Sequence, residues 1–526
     1  MKLLGRLDFA YLYALVGGGL LVLSFPSFDI YPLAWIALAP LLVMLYDRPM
    51  GDSFKIGMLL GLVYFFGTVY WIYYSVNHFG SIALVPSLII VLILSLYLSL
   101  YTAAFCVLYS TIIKKTDLPA LLVAPVLWTS VELLRSYIFT GFPWSSLGYS
   151  QYLFLHFIQS ADIIGIYGIS FLVVAINGAI ADFFILQKRT RERPLCSSLY
   201  TYAGWGVLLI VLLANFSYGF YRLHQHRPGS PVTVAVVQGN IDQDKKWDRA
   251  YQAYVTDVYR KLTLEATAHA EGIPGPDLVV WPETAVPFYF GVDKLQSEEL
   301  LDFQRNLDTY LLFGSVLKKS DPKDGYSNST ILLTKDGKVS YIYDKIHMVP
   351  FGEYVPLRSL LFFVDKLVVG IGDFIPGDSY IKAVTPFASF GTPICYEIAF
   401  PGLVRKFYVK GGDFIVTVTN DAWFGRTNGP YQHFSMAVFR AIENRKPLIR
   451  AANSGISGFI NSNGEILAST SLFSRTMIKA DIMTDRTLTF YTKYGDLFSF
   501  FCIVLSLLMI IKYRGKSHLS ILSKHN

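Results

Sequence analysis

Long apolar stretches, separated by short polar segments, dominate the first 220 residues, and one more lies near the end of the chain. They cover 8–24, 30–46, 55–75, 82–112, 118–138, 158–186, 199–220 and 496–513. Most reach the roughly 17–25 residues that a helix needs to cross a bilayer. Because backbone groups in lipid must be hydrogen-bonded internally, we interpret them as helices. The pattern predicts a polytopic α-helical membrane domain of about eight transmembrane helices.

The polar segment between the last two apolar stretches has a different pattern. Short apolar or β-branched runs bounded by turn residues lie at 232–238, 278–281, 310–314, 331–334 and 414–419. Such runs are typical of β-strands. Helical patterns cover 245–271 and 430–445, and Asp336-Gly337 and Asn463-Gly464 predict hairpins. We therefore expect a membrane domain over 1–222, an α/β domain over 223–490, and a terminal helix with a basic tail over 491–526.

Composition supports a membrane protein. Of the 526 residues 53% are hydrophobic and only 16% are charged, and the mean hydropathy is +0.43. A soluble protein has about a quarter charged residues. The net charge of +7 would suit nucleic acid, but the basic residues cluster at the ends of the apolar stretches. We expect the lipid bilayer, and no nucleic acid, as a partner.

Lys and Arg occur before the first apolar stretch, in every second connection between stretches, and after the last stretch. They are Lys2, Arg6, Arg48, Lys55, Lys114, Lys115, Lys188, Arg189, Arg191, Arg193, Lys512, Arg514 and Lys516. The connections at 25–30, 76–81 and 139–157 contain neither residue type. Because basic loops stay in the cytoplasm, both termini are predicted to be cytoplasmic and 223–495 exterior. The first stretch lacks an Ala-x-Ala-like cleavage site, so we expect it to remain as a helix.

Cys395 is the only cysteine of the predicted exterior domain. It has no partner there for a disulfide, which leaves a lone thiol. One interpretation is a buried structural cysteine, which is common. The other is a nucleophile, because the same segment contains Trp-Pro-Glu-Thr (281–284) and Asp-Lys-Ile-His (344–347).

These motifs contain the groups that a thiol nucleophile needs. A thiol with a pKa near ~8.5 is mostly protonated at neutral pH, so a base is required. Glu283 can take that proton, and Lys345 supplies positive charge where an oxyanion would form. The backbone N–H of Tyr396 is the natural second donor to the oxyanion. Glu283 or Lys345 alone would be explained by a surface charge, and it is the ordered set of three that indicates catalysis.

The three motifs, in this order, resemble the nitrilase (carbon–nitrogen hydrolase) superfamily, whose catalytic set is Glu, Lys and Cys on an α-β-β-α sandwich. The resemblance assigns these roles to Glu283, Lys345 and Cys395. With the membrane domain, the whole chain resembles bacterial apolipoprotein N-acyltransferases. The motifs behind this second resemblance are Val-Gln-Gly-Asn (237–240), Val-Pro-Phe-Gly-Glu-Tyr-Val-Pro (349–356), Thr-Asn-Asp-Ala-Trp-Phe-Gly (419–425), Arg-Ala-Ala-Asn-Ser-Gly (450–455), Gly-Phe-Pro-Trp (141–144) and Tyr-Trp-Ile (70–72).

The resemblance implies a phospholipid-dependent acyltransferase of the bacterial inner membrane, with its catalytic domain in the periplasm. A Cys395 thioester would pass an acyl chain from a phospholipid to the α-amine of an N-terminal diacylglyceryl-cysteine on an apolipoprotein. Glu353 would support Lys345 or the incoming amine. The resemblance also places Trp247, Tyr396 and Glu397 near the substrate.

Other residues keep two interpretations. Asn420 and Trp423 follow a predicted strand, where they either position substrate or pack. His347 and His433 are expected to be structural. The apolar segment 357–370 is either a short helix on the domain core or a lipid-facing lid. The lid residues would be Leu360, Leu361, Phe362 and Phe363.

Two other functions stay open from the residues. One is a membrane-tethered amidase of the nitrilase type, with water as the acceptor. The other is a lipid-binding or scaffolding protein with an inactive site. The sequence contains no GxGxxG, Walker or metal-spaced Cys/His motif, so we expect neither a cofactor nor a metal.

Overall fold

The chain folds into two compact units. The computed structural model describes residues 8–116, 118–192, 196–226, 228–268, 275–319, 325–354 and 374–522. One unit comprises Met1–Tyr73, Ala83–His224 and Asp496–Asn526, and the other comprises Tyr74–Ile82 and Gln225–Gly495. The sequence pattern gave no sign that the short segment Tyr74–Ile82 belongs with the second unit.

The first unit is helical. Its longer helices are α1 (Phe9–Ser24), α2 (Ala39–Leu45), α3 (Met50–Val69), α4 (Leu84–Lys115), α5 (Ala120–Arg135), α6 (Ala161–Glu192) and α7 (Cys196–His224), with a last helix at Leu497–Leu522. By length and hydropathy, α3, α4 and the cores of α6 and α7 can each cross a membrane. The apolar helical segments at Phe9–Ser24, Tyr31–Leu45 and Leu497–Lys512 are shorter.

The third predicted stretch, 55–75, is displaced in the structure. Helix α3 starts at Met50, directly after Pro49, and it ends at Val69. Its Gly57 and Gly61 face α4, where a Cβ on Gly61 would lie 2.1 Å from the Thr102 hydroxyl. Helices in lipid associate largely through van der Waals packing, and such small residues let the two backbones approach closely.

The second unit contains two six-stranded sheets. Strands β1 (Pro231–Gln238), β2 (Leu278–Val280), β3 (Tyr310–Lys319), β4 (Gly325–Leu333), β5 (Val339–Asp344) and β12 (Thr476–Met483) form one sheet, in the order β12-β1-β2-β3-β4-β5. Strands β6 (Ala383–Val384), β7 (Ser389–Gly391), β8 (Phe414–Thr419), β9 (Leu448–Ala452), β10 (Gly458–Ile460) and β11 (Ile466–Ser469) form the other, in the order β11-β10-β9-β8-β7-β6. The central strands of each sheet are parallel, and antiparallel strands flank them.

Helices cover both sheets and complete an α/β sandwich. Helices α8 (Gln252–Thr267) and α9 (Lys294–Arg305) contribute to one core with the first sheet, and α10 (Gly429–Asn444) packs on the second. In the first core, Trp281 stacks on Tyr259 with ring centroids 5.2 Å apart. Parallel strands covered on both faces are apolar throughout, which explains the continuous runs in the sequence.

The structure confirms the predicted strands and both hairpins. Gly337 (φ +76°) and Gly464 (φ +85°) occupy the left-handed positions that such turns require. The helix predicted at 245–271 begins only at Gln252, because Asp248 caps a separate short turn at Arg249–Tyr251. The prediction was therefore wrong at that boundary.

Candidate active site

The three candidate catalytic residues follow the carboxyl ends of strands. Glu283 follows β2, Cys395 follows β7, and Lys345 comes directly after β5. Strand β5 runs in the same direction as β3, because two antiparallel pairings separate them. The carboxyl ends of parallel strands are where α/β proteins place their ligands. The fold therefore places three motifs that are distant in sequence at the carboxyl ends of strands, two in the first sheet and one in the second.

Lys345 lies between two carboxylates. Its side chain is 1% exposed, and its Nζ lies 2.9 Å from Glu353 Oε1 and 3.7 Å from Glu283 Oε1. Glu353 is held in turn by the backbone N–H of Val349, which donates to Oε2 at 2.8 Å. Burial alone would favour a neutral amine, but the two carboxylates outweigh it and raise the pKa of Lys345. The site therefore contains a fixed ammonium group at neutral pH.

Asn328 is a member of this cluster that the sequence analysis missed. Its Nδ2 donates to Glu283 Oε1 at 2.7 Å and to Glu353 Oε1 at 3.0 Å. Its backbone carbonyl accepts from the N–H of Lys345 at 2.8 Å. The available signal was a polar run, Tyr-Ser-Asn-Ser-Thr (326–330), inside a strand whose centre is buried. The side-chain amide of Asn328 thus orients both carboxylates, and its backbone carbonyl holds the backbone of Lys345.

Glu283 keeps one oxygen free. The residue is 6% exposed, and its Oε2 has no hydrogen-bond partner among the residues that the structure describes. Its other oxygen is occupied by Asn328 and faces Lys345. An ionised carboxylate only accepts hydrogen bonds, so the unoccupied oxygen is the one available to receive a proton.

Cys395 is buried and conformationally constrained. It is 7% exposed and has a φ of +50°, which is unusual for a residue other than glycine. Burial raises the pKa of its thiol, as does the charge of Glu283, whereas Lys345 opposes the shift. The resting group is therefore a thiol, and forming the reactive thiolate requires transfer of its proton to a base.

Glu397 connects the cysteine segment to the lysine segment. Its Oε1 accepts from the backbone N–H groups of Ile346 and His347 at 2.7 and 3.0 Å. Its Oε2 accepts from the N–H of Ile394 at 2.7 Å, and the Tyr343 hydroxyl donates to both oxygens at 2.9 and 3.0 Å. This carboxylate therefore holds together the two loops that carry Cys395 and Lys345.

His433 contacts the nucleophile through the backbone. Its Nε2 lies 3.1 Å from the Cys395 carbonyl oxygen, and its Nδ1 lies 2.9 Å from Asp421 Oδ1. Arg450 donates to Asp421 Oδ2 at 2.8 Å. Although burial opposes it, Arg450 and then His433 lower the pKa of Asp421, while burial lowers the pKa of His433. This network supports the cysteine turn and fits the structural role expected for His433.

Tyr396 and Asn420 lie in packed surroundings. The Tyr396 ring is 5.0 Å from the Phe400 ring, centroid to centroid. Asn420 is 2% exposed, and its Nδ2 donates to Gln243 Oε1 at 2.5 Å while its Oδ1 accepts from Asn453 at 3.2 Å. Asn420 therefore ties together the loops after β1, β8 and β9.

The two predicted tryptophans belong to the second unit, and each contacts another aromatic ring. The Trp247 ring is 5.9 Å from the ring of Tyr289. Trp423 is 39% exposed, its ring is 4.4 Å from that of Phe79, and its carbonyl accepts from the Ser75 hydroxyl at 2.6 Å. The segment Tyr74–Ile82 thus packs on the loop after β8. The four predicted lid residues, Leu360, Leu361, Phe362 and Phe363, lie outside the described residues.

Family models match most of the chain. The model described as "Apolipoprotein N-acyltransferase N-terminal domain" covers residues 17–179, and "Carbon-nitrogen hydrolase" covers 233–489. Among solved structures, Nit3 of Saccharomyces cerevisiae, a nitrilase superfamily member, aligns with 49% of this chain and 92% of its own. That alignment has 21% identity and a TM-score of 0.36. The two sequence matches correspond to the helical and the α/β parts.

Curated relatives match over nearly the full length. The apolipoprotein N-acyltransferase of Geobacter metallireducens is 41% identical over 517 residues, which is 96% of each chain. That of Wigglesworthia glossinidia brevipalpis is 33% identical, covering 95% of this chain and 98% of its own. That of Haemophilus influenzae is 31% identical, covering 93% and 92%. The chain belongs to the apolipoprotein N-acyltransferase family, whose acyltransferase chemistry is built on a carbon–nitrogen hydrolase domain.

Proposed function

We propose that the protein transfers an acyl chain from a phospholipid, through a thioester on Cys395, to the α-amine of an N-terminal diacylglyceryl-cysteine on an apolipoprotein. The observation that carries this proposal is the buried group of Cys395, Lys345 and Glu283, in which Glu283 keeps a free carboxylate oxygen. A nucleophile paired with a base is the general requirement for covalent acyl transfer.

The first half-reaction acylates the cysteine. Glu283 takes the thiol proton, and the Cys395 sulfur attacks the ester carbonyl carbon of the phospholipid. Lys345 and the Tyr396 backbone N–H stabilise the oxyanion. The C–O bond then breaks, and the leaving lysophospholipid oxygen takes the proton from Glu283. The products are an acyl-thioester and a lysophospholipid.

The second half-reaction deacylates the cysteine. The α-amine attacks the thioester carbonyl carbon and gives a proton to Glu283, while Lys345 again faces the oxyanion. The C–S bond breaks, an amide forms, and the leaving Cys395 sulfur takes the proton from Glu283. Glu353 and Asn328 support this cycle by holding Lys345 and Glu283 in place. We propose that Trp247, Trp423 and Glu397 shape and support the substrate site, and the lid stays a prediction.

A trapping experiment separates this transferase from a nitrilase-type amidase. Wild-type protein given phospholipid without acceptor is expected to release about one lysophospholipid per site and then stall, because a covalent intermediate accumulates. Mass spectrometry of the digested protein should find the acyl group on the Cys395 peptide. Adding a diacylglyceryl-cysteinyl peptide should discharge the thioester into an amide.

The matched control is the same peptide with its amine acetylated, which should leave the thioester in place. Continuous release of fatty acid without acceptor, and no adduct on Cys395, would identify a hydrolase and contradict the proposal.

We further propose that about eight helices cross the bacterial inner membrane. In this topology both termini are cytoplasmic, and a catalytic domain over 223–490 lies in the periplasm. The alternation of basic loops supports it. Reporter fusions after Lys188 should report the cytoplasm, and fusions near Gly229 the periplasm. Both reporters on one side of the membrane would be incompatible with this topology.

A further inference from the structure

The turn that carries Glu283 contains a strained residue. Thr284 has a φ of +46°, a left-handed conformation that is a genuine outlier for a β-branched residue. Such conformations persist only where the surrounding structure holds them. Strand β3 supports one side of the turn, because the Gly314 N–H donates to the Pro282 carbonyl at 3.1 Å and its carbonyl accepts from Ala285 at 2.8 Å. A Cβ on Gly314 would lie 2.4 Å from the Thr284 nitrogen.

Lys246 supports the other side of the same turn. Its Nζ donates to Thr284 Oγ1 at 2.8 Å and to the Glu283 carbonyl oxygen at 3.2 Å. Lys246 is 0% exposed and comes from the loop after β1, far from this turn in sequence. Both hydrogen bonds that Nζ makes to described residues end on this turn. Burying an amine is costly unless it is hydrogen-bonded, so this contact is a specific feature of the fold.

The charge of Lys246 depends on its surroundings. Burial lowers the pKa of Lys246 to about 7, although the Glu283 carboxylate opposes the shift. Below that pH the buried amine is positive and lies beside the turn that carries the proposed base. It then adds a charge-assisted hydrogen bond to each acceptor.

We propose that Lys246 is a positioning residue for Glu283, which holds the strained Glu283–Thr284 turn so that the free carboxylate oxygen is presented to the Cys395 thiol. The inference rests on the proposed function, in which Glu283 is the base. Lys246 touches neither the reacting sulfur nor the carboxylate oxygens in the hydrogen bonds described, so it acts through the backbone and the Thr284 hydroxyl.

The first test is Lys246→Met in the full-length protein. We expect acyl-Cys395 formation from phospholipid, measured as a single turnover, to slow about 100-fold, since a displacement of about 1 Å can cost that much. Lys245→Met is the matched control: it removes the same charge one residue earlier, from an exposed side chain, and should keep the wild-type rate.

The pH profile separates positioning from a purely structural role. Among the described residues, the titratable side chains near Glu283 include Lys246, Lys345, Glu353 and Cys395. Without Lys246 the carboxylate has lost one neighbouring positive charge, so the acidic limb of the single-turnover rate should move to higher pH. A variant that was only less stable would lose active protein without moving this limb.

Variants of Thr284 test the same contact from its other side. Thr284→Val removes the hydroxyl acceptor and should slow acylation about 10-fold, whereas Thr284→Ser keeps the acceptor and should restore most of the rate. If Lys246→Met fails to fold, the rates of Thr284→Val and Thr284→Ser test the proposal instead. Thr284→Val acting at the wild-type rate, or Lys246→Met with a wild-type rate and pH profile, would overturn the proposal.

Glu283→Gln distinguishes this failure from failure of the proposed function. If Glu283 is the base, this variant should form no detectable acyl-Cys395, whether position 246 is lysine or methionine. An active Glu283→Gln enzyme would refute the proposed function itself. An inactive Glu283→Gln beside a fully active Lys246→Met would refute only the role of Lys246.

Discussion

Replacing Cys395 by alanine is expected to lower acyl transfer at least about 10⁴-fold, because removing the nucleophile of a covalent catalyst costs that much or more. The fold should persist, since the change removes one sulfur from a small buried side chain. Transfer to a diacylglyceryl-cysteinyl peptide measures the activity, and thermal melting in detergent measures the fold.

Cys395→Ser is the informative companion variant. It keeps the size and the hydrogen-bonding capacity of the side chain, yet a hydroxyl gives up its proton far less readily than a thiol does. We expect it to remain folded and nearly inactive, with no thioester detected by mass spectrometry. Transfer above a few per cent of wild type in Cys395→Ala would mean that another group is the nucleophile.

The second large effect is expected for Lys345→Met, which removes the ammonium group between Glu353 and Glu283. Loss of one oxyanion-stabilising group typically costs 10²–10³-fold in rate. Removing one partner of a buried ion pair also destabilises a protein by roughly 3–5 kcal/mol. We therefore expect both slower acyl-thioester formation and a lower melting temperature.

A second substitution separates these two losses. In Lys345→Met with Glu353→Gln, one of the two carboxylates beside Lys345 is neutralised as well. We expect the melting temperature to recover most of its loss while acylation stays slow, because charge balance returns and the oxyanion partner does not. Recovery of both would contradict an oxyanion role for Lys345.

The pH dependence of stability gives a further check on Lys345. Its folded pKa is raised above the ordinary value of 10.5. Its ion pairs therefore contribute stability that is fully present below that value and is lost as the pH rises through the folded pKa. The difference in melting temperature between wild type and Lys345→Met should stay constant from neutral pH to about pH 10 and shrink above it.

The sequence predicted the architecture of the second unit better than its details. Strands such as β1 and β8 are buried on both faces, so their apolar runs are continuous and easy to recognise. Strand β5 was indicated only by the hairpin signal at Asp336-Gly337, because it is a half-exposed edge strand with only six residues. Strand β9 was missed because Arg450 interrupts its apolar run, and the guanidinium is buried there with Asp421 and the Ile456 carbonyl as partners.

Candidate site residues were predicted where a short motif contains the chemistry. Glu283, Lys345, Glu353 and Cys395 each lie in such a motif, and the structure places Lys345 Nζ 3.7 Å from the Glu283 carboxylate and 2.9 Å from that of Glu353. Asn328 and Lys246 were missed, because nothing local distinguishes them. Both are distinguished by contacts to residues about 40 positions away, and such contacts appear only when the chain is folded.

The hydrogen bonds of Glu397 have a consequence for engineering this enzyme. One buried carboxylate fastens the backbone before the nucleophile and the backbone after the lysine, so neither loop can be redesigned alone. A change of length or conformation in one loop would leave N–H groups of the other without their acceptor. Grafting the cysteine loop onto another hydrolase scaffold would therefore require the lysine loop and Tyr343 to be transplanted with it. Selection for new acyl donors should accordingly yield paired substitutions in these two loops, at positions other than Lys345 and Cys395.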